Sequence, residues 1–564
     1  AARAGLLINP TRAASGMWRG RCRLRARWAA LLTCMLCAAT ARAQDITWTD
    51  VGNGTHVIDD SLGFEATEYS FVSKFTRGES VSSAEADRFG ASVSIDGDTL
   101  AVGRPHHWDN SEYVGEVWIY ARDTPGDRKS SWSLIQIVRA PDGAAGDYFA
   151  GSLDLDGDTL VVGAAQDEPH GAETDAGSAY IFTRSTKGVP SSLWTFRQKL
   201  QSPTRERDDN FGLAVAVDGD VVIVGTPNRD QSADGKQVPS ASLSGDDVGA
   251  VFVFARAVEN DLNSDFVYVD RLETADLAVQ DEERFGTSVA VHGDVLVATT
   301  AKQITINADT DDQFCAMAHV FVRKEVGVTH SRWEYKTTLK VDACETLTMR
   351  KPVAVYGDTI VVGAPDEDHV EVDSDGNSHT HDEAGRAHVF TRDVPGDVNS
   401  EWSYAFQLNA EVFSGGDNFG SSVGIWEDTI AVGASAKDEH ATWNEDEDQA
   451  DTTDINHGAV YLFHKSYSDN EDGSVSEVWQ RAVRFVPSGD DTGSGFFGAS
   501  LAMHRDGLVV GTETADGIAG AAYVFALPEV IDESPPPPPS PPPPPSPPPT
   551  TNATTNATTN ATTN

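Results

Sequence analysis

In the stretch PDEDHVEVDSDGNSHTHDEAG, which begins at Pro365, Asp373, Asp375 and Asn377 alternate around Gly376. Side-chain oxygens spaced in this way beside a turn-forming glycine are what a calcium loop uses, because Ca²⁺ gathers about six to eight oxygen ligands. Asp373, Asp375 and Asn377 are therefore the candidate ligands of a Ca²⁺ ion. His379 and His381, with Asp382 and Glu383 beside them, offer transition-metal ligands or simply a polar surface loop. The other acidic stretch, WNEDEDQADTTD from Trp443, reads as a solvated loop. No Gly-x-Ser-x-Gly elbow, His-Glu-x-x-His, phosphate loop or paired-cysteine zinc frame occurs anywhere in the chain. Acid pairs are too numerous to single out two as a glycosidase couple. The chemistry on offer is binding, and the chain is not expected to be an enzyme.

Covalent chemistry comes next. Residues 1–16 read as translated upstream sequence. From Met17 to Ala43 a basic segment, a short apolar run and Ala-Arg-Ala have the layout of a secretory signal peptide. Cys22, Cys34 and Cys37 would leave with it, so Cys315 and Cys344 remain for an oxidising compartment. They flank a turn near Val328 and Thr329 at nearly equal distances, which predicts a disulfide between them. Asn53, Asn552, Asn556 and Asn560 each open an Asn-x-Thr sequon and are expected to carry glycans. Without residues 1–43, which hold eight Arg and no acid, 34 basic residues face 87 acidic ones, a formal charge of −53. Such a surface repels nucleic acid and suits cations, basic partners or plain solubility.

At the far end, Ser534 to Pro549 is a Ser-Pro tract, a polyproline II rod of roughly 50 Å at ~3.1 Å per residue. With the sequons after it, residues 529–564 resemble the glycosylated stalks of hydroxyproline-rich wall and matrix proteins. No transmembrane segment is evident, and an anchor beyond the last residue is left open.

What must position the loops is a repeat. FGASVSIDGDTLAVG, from Phe89, returns from Phe149, Phe211, Phe285, Met349, Phe419 and Phe497. In all seven copies an Asp stands nine places after the first residue; in six a Gly stands fourteen after it, with Thr299 the exception. The copies are 60 to 78 residues apart. Each holds two short apolar runs around a tight turn, Asp-Gly in the first three copies, then a third run such as Gly249-Ala250-Val251-Phe252; in the first six a fourth run opens on or near an aromatic such as Trp132 or Trp402. Four antiparallel strands cannot bury both faces alone, and radial stacking buries both. The expectation is all-β: a seven-bladed β-propeller over residues 65–528, preceded by a segment at 44–64. The seventh copy lacks a fourth strand after Phe525, and Tyr69–Phe75 is a strand without a repeat, so it should close the ring of a monomer.

The Phe-Gly, Val362-Gly363-Ala364-Pro365 and Gly-Ala-aromatic landmarks resemble FG-GAP repeats, and the whole is similar to the seven-bladed propeller of integrin alpha subunits. That resemblance implies an extracellular adhesion module, secreted or attached to a cell surface or wall, that meets a protein or glycan through loops on one face. Its alternatives are a structural matrix glycoprotein, or a propeller hydrolase or lyase. Integrin blades carry calcium between their first and second strands, where this chain has only Asp96-Gly97-Asp98 and its counterparts. Those acids read as tight turns. The long loops Pro227–Val248, Pro365–Ala384 and Ser435–His457 should share the opposite, ligand-binding face.

Overall fold

The computed structural model describes residues 48–50, 55–59, 69–76, 87–106, 108–109, 112–168, 175–229, 247–273, 284–301, 314–342, 351–372, 378–412, 414–437, 443–444, 449–450, 456–469, 475–487, 495–512 and 520–528. All lie in the compact unit Ala1–Pro528; the second unit, Glu529–Asn564, and with it the Ser-Pro tract, falls outside the described residues. The chain is a seven-bladed β-propeller. Blade one runs Val93–Asp96, Thr99–Arg104, Glu116–Arg122 and Trp132–Val138, each strand antiparallel to the next. Blades two to five repeat the order, from Phe149–Asp156 out to Trp194–Leu200, Ala214–Asp218 to Phe266–Leu272, Val289–His292 to Trp333–Asp342, and Val353–Tyr356 to Trp402–Leu408. First strands are innermost and pack against one another around the ring. Each apolar cluster spans neighbouring blades: Val161 and Ile181 of blade two meet Val222 and Phe252 of blade three. The second strands, and almost all of the third, are thereby removed from water on both faces, while the outer fourth strands keep exposed residues such as Phe196 and Tyr268.

The seventh blade is completed from the N-terminus. Ser500–His504, Gly507–Thr512 and Ala521–Ala526 are followed in space by Ser70–Phe75, with Ser70 opposite Ala526 and Phe75 opposite Ala522. Phe71 packs edge-on against Phe525 at 6.0 Å, and Tyr69 Oη meets His464 Nε2 at 2.8 Å. The sixth blade holds a surprise. Its fourth strand, Val475–Pro487, is 13 residues long and carries two further strands outside it, Thr55–Asp59 and then Trp48–Asp50. Residues 44–64, expected only to precede the ring, thus add a hairpin to its outer edge in the register Thr55–Pro487 to Asp59–Val483.

Two local devices explain why the repeat folds this way. In the first hairpin Asp96 pairs with Thr99, so the loop is Gly97-Asp98, one step later than the Asp-Gly dipeptide suggests. Gly97, at φ 53°, takes the left-handed conformation that the first loop position of such a turn needs. In blades six and seven Glu427 (φ 49°) and Arg505 (φ 50°) hold that conformation without being glycine.

The second device joins blades. The Phe-Gly of one blade enters between two glycines of the preceding one. Phe285 of blade four donates its N–H to Val248 O at 2.8 Å, and its carbonyl lies where a Cβ on Gly249 would be. The carbonyl of Gly286 fills the same place beside Gly225. Parallel bridges of this kind join Phe211 to Gly177, Phe285 to Gly249, Phe419 to Gly385, Phe497 to Gly458 and, across the closure, Phe89 to Gly520. The phenylalanines themselves are wholly buried. This is why the frame needs glycine at its end and again before the third strand: each accepts a backbone, not a side chain.

Candidate functional site

On the hairpin face one assembly recurs in five blades. The third strand ends in Arg122, Arg184, Arg256, Arg323 or Arg392, whose guanidinium lies 5.0, 4.6, 4.4, 4.7 or 4.8 Å over the ring of Trp132, Trp194, Phe266, Trp333 or Trp402. Each also pairs with the hairpin acid of its blade: Asp98 at 3.7 Å, Asp158 at 2.6 Å, Asp220 at 2.7 Å, Asp294 at 2.6 Å and Asp358 at 3.0 Å. The same carboxylates accept N–H groups of Gly126, Gly188, Asn260, Gly327 and Gly396 in the turns before the fourth strands. The repeated Asp is therefore a tertiary clamp, in keeping with the tight-turn reading. The Arg partners were missed from sequence, yet each stands ten residues before its aromatic, a spacing legible once the aromatics are aligned.

Inside these clamps the residue before each turn forms a smaller ring: Asp96, Asp156, Asp218, His292, Tyr356, Trp426 and His504. Asp96, Asp156 and Asp218 accept the next hairpin's backbone N–H from Gly157 (2.5 Å), Gly219 (2.7 Å) and Gly293. His292 accepts from Gly357 at 3.2 Å, and His504 from Gly97 at 2.7 Å. Trp426 packs between Tyr356, whose ring is tilted to it at 4.8 Å, and His504, which meets it edge-on at 4.0 Å, and His504 Nε2 reaches Asp96 at 3.2 Å. Burial pushes the Asp156 carboxyl up to about 6, and the charges of Asp96 and Asp218 act in the same direction. Asp154, in the first strand of blade two, is likewise raised to about 6 by burial.

The opposite face is built on ion pairs beneath its loops. An acid two residues before Phe-Gly meets a cation from the end of the second strand in blade one, Asp87 with Arg104 (2.6 Å), and from the start of the loop after it in blades three and six, Asp209 with Arg229 (3.0 Å) and Asp417 with Lys437 (2.6 Å). Blade two departs from this. There the matching loop position is Asp167, and Lys199 arrives from the fourth strand to bind Asp167 and Asp142, both at 2.8 Å. Tyr180 Oη donates to Asp142 at 2.9 Å, and Asp147 accepts the Ala144 N–H at 2.6 Å. Burial, and then the charge of Asp167, raise the Asp147 carboxyl to about 6. In blade five Glu367 holds Arg386 and, at 2.8 Å, His388; the basic groups keep its carboxyl below the usual range although burial alone would raise it.

His369–Val372 and Ser378–His381 form a ribbon in the blade-five loop, with His369 opposite His381. The proposed calcium ligands Asp373, Asp375 and Asn377 fall between these two strands in the sequence and lie outside the described residues. Among the described residues no three His, Cys, Asp or Glu side chains gather as a metal site. Cys315 stands in the third strand of blade four opposite Val341, three residues short of Cys344, which is outside the described residues. Asn53, Asn552, Asn556 and Asn560 are outside them too. His319 and His388, read as blade packing, are buried; His319 lies edge-on to Phe285 at 5.6 Å, and burial pushes its imidazole down to about 4.

The profile of the FG-GAP repeat matches residues 81–120, 132–182, 194–254, 402–463 and 479–525. Each stretch includes the third-strand glycine and the entering Phe-Gly that interlock the blades, with Phe149-Ala150 standing for Phe-Gly in blade two. This is an FG-GAP repeat protein. No curated protein matches the chain. The FG-GAP matches leave out residues 255–401, where blades four and five meet. There Met349-Arg350 replaces Phe-Gly, and Thr299 and Ala316 replace the two receiving glycines. Thr299 is thus no isolated lapse: the receiving glycine is missing at the junction where neither the Phe nor the Gly of the entering pair is kept.

Proposed function

We propose that this FG-GAP propeller is an extracellular, non-catalytic binding module that holds a protein or glycan ligand by the loops between its second and third strands. The observation that carries this reading is the contrast between the two faces. Nine residues separate the third from the fourth strand in each of blades one to five, held by the same Arg, Asp and aromatic clamp. Between second and third strands the gap runs from 8 residues in blade seven to 24 in blade six. Variable loops raised on a rigid, repeated scaffold are where recognition concentrates. A fold alone would not carry the inference, since propellers host many functions. The acidity of the blade-five and blade-six loops favours a basic ligand or one bridged by Ca²⁺ at Asp373, Asp375 and Asn377. Secretion through residues 17–43, glycans on the sequons and the Ser-Pro stalk would place a monomeric ring at a cell surface or wall.

The test is binding of the whole chain to an array of matrix glycans and basic matrix proteins. At least one probe should bind, and binding should fall with chelator or added salt and in the Asp373→Ala/Asp375→Ala variant. A variant that binds every probe normally, in chelator and in high salt, would remove the acidic loop from the proposal.

A further inference from the structure

In a ring closed by an N-terminal strand, the expected weak point is where the two ends of the chain meet. Here that joint is fully fastened. Phe89 bridges Gly520, Ser500 Oγ donates to Gly90 O at 2.7 Å, and Arg122 pairs with Asp506 at 3.2 Å. Arg128 Nη1 of blade one donates to Leu527 O, just after the last strand of blade seven, at 2.5 Å.

The junction of blades four and five is built differently. At the hairpin end it resembles the others: His292 accepts the Gly357 N–H, its ring lies 4.5 Å from that of Tyr356, and Val295, Val297 and Val320 pack against Val353, Val355 and Ile360. At the loop-face end the sequence removes the interlock from both sides. The entering Phe-Gly is Met349-Arg350, and the receiving glycines are Thr299 and Ala316. Ser288 shows the consequence. Its counterparts Ser92, Ser152 and Ser422 donate their hydroxyls to the carbonyl of the entering second residue, at 2.8, 2.8 and 2.6 Å. Ser288 instead accepts the Val353 N–H, at 3.3 Å.

Polar groups buried at this joint fit a loosely fastened seam. Thr299 Oγ1 and His319 Nε2 are enclosed and have no hydrogen-bond partner, and a buried polar atom left so costs roughly 1–3 kcal/mol.

We infer that the ring opens at the seam between blades four and five, from the loop face, and not at the chain closure. The hairpin ends stay together and act as the hinge, while the loop-face ends part. Because this would change the spacing of the blade-four and blade-five loops, it gives the loop face a moving element. The inference stands on the interlock alone and does not depend on what the face binds.

Hydrogen exchange of the whole chain, followed by peptide mass spectrometry, reads the seam directly. Peptides covering 353–356 should exchange at least tenfold faster than those covering the first strands at 153–156, 423–426 and 501–504. The triple variant Thr299→Gly/Met349→Phe/Arg350→Gly, which restores the entering pair and one receiving glycine, should slow 353–356 towards the other blades. Fastest exchange at Ser70–Phe75, or equal exchange in all first strands, would overturn the inference from the wild-type chain alone. A folded triple variant with unchanged exchange at 353–356 would overturn it as well.

Discussion

Gly225, at the end of the second strand of blade three, lies against the carbonyl oxygen of Gly286 in blade four, so closely that a Cβ on Gly225 would fall well inside 3.0 Å of it. The oxygen belongs to backbone, which cannot step aside as a flexible side chain could. Gly225→Ala should therefore force the two blades apart and lower stability by about 1–3 kcal/mol, the usual scale of overpacking. Thr299→Gly, at the same place in blade four but with no Phe-Gly arriving, removes a buried hydroxyl without a partner while adding backbone freedom, so the two effects oppose and stability should move by less than about 1 kcal/mol. Urea denaturation of both variants decides the matter.

Glu427 and Arg505 occupy the turn position that glycine fills in the other five blades. A side chain in the left-handed region costs about 1–2 kcal/mol, against which glycine loses some entropy. Glu427→Gly and Arg505→Gly should each raise the unfolding midpoint, by about 0.5–1 kcal/mol in stability. A fall in both would mean that these side chains hold the hairpin face through contacts more valuable than the turn.

Residues 44–76 supply strands to two blades, and the two contributions are separable. Deleting 44–60 removes only the hairpin outside blade six and should cause a modest loss of Tm. Deleting 44–76 also exposes the edge of Ala521–Ala526 and uncovers Phe525, so the loss should be large. Equal melting of the full-length and 44–76-deleted chains would refute closure by the N-terminal strand.

Asp147 and Asp209 stand at the same place in adjacent repeats and should respond oppositely to the same change. Asp147 is raised from 3.8 to about 6, so the folded chain favours its protonated form. Its contribution to stability is complete below pH 4 and is lost as the pH rises through 6. Asp147→Asn keeps an acceptor for Ala144 and should gain about 1–3 kcal/mol at pH 7.5, with almost no gain at pH 4. Asp209→Asn breaks the pair with the buried Arg229 and should destabilise at pH 7.5. Thermal melts of both variants at the two pH values give the comparison.

Much of the architecture could be read from the spacing of Phe-Gly, Asp and Gly, because the interlock places a backbone where any side chain would collide. The closing strand at Tyr69–Phe75 was legible for a similar reason, as an unpaired pattern beside a blade lacking a strand. The hairpin at Trp48–Asp59 was not: it repeats nothing and answers to the extra length of Val475–Pro487, which only pairing reveals. The Arg clamps escaped because an arginine near a strand end reads as surface charge until its aromatic and acid are seen around it. The long loops between second and third strands are where the repeat stops constraining the sequence, so repetition says little about them.

The claim at the centre of this account is that the loop face binds and the hairpin face holds the ring together. Hydrogen exchange of the whole chain, with and without whichever array probe binds most tightly, tests it directly. The account predicts new protection in the loops of 227–248, 365–384 and 435–457, with the turns at 97–98, 157–158 and 219–220 unchanged. Protection confined to those turns, with the long loops exchanging as before, would contradict it.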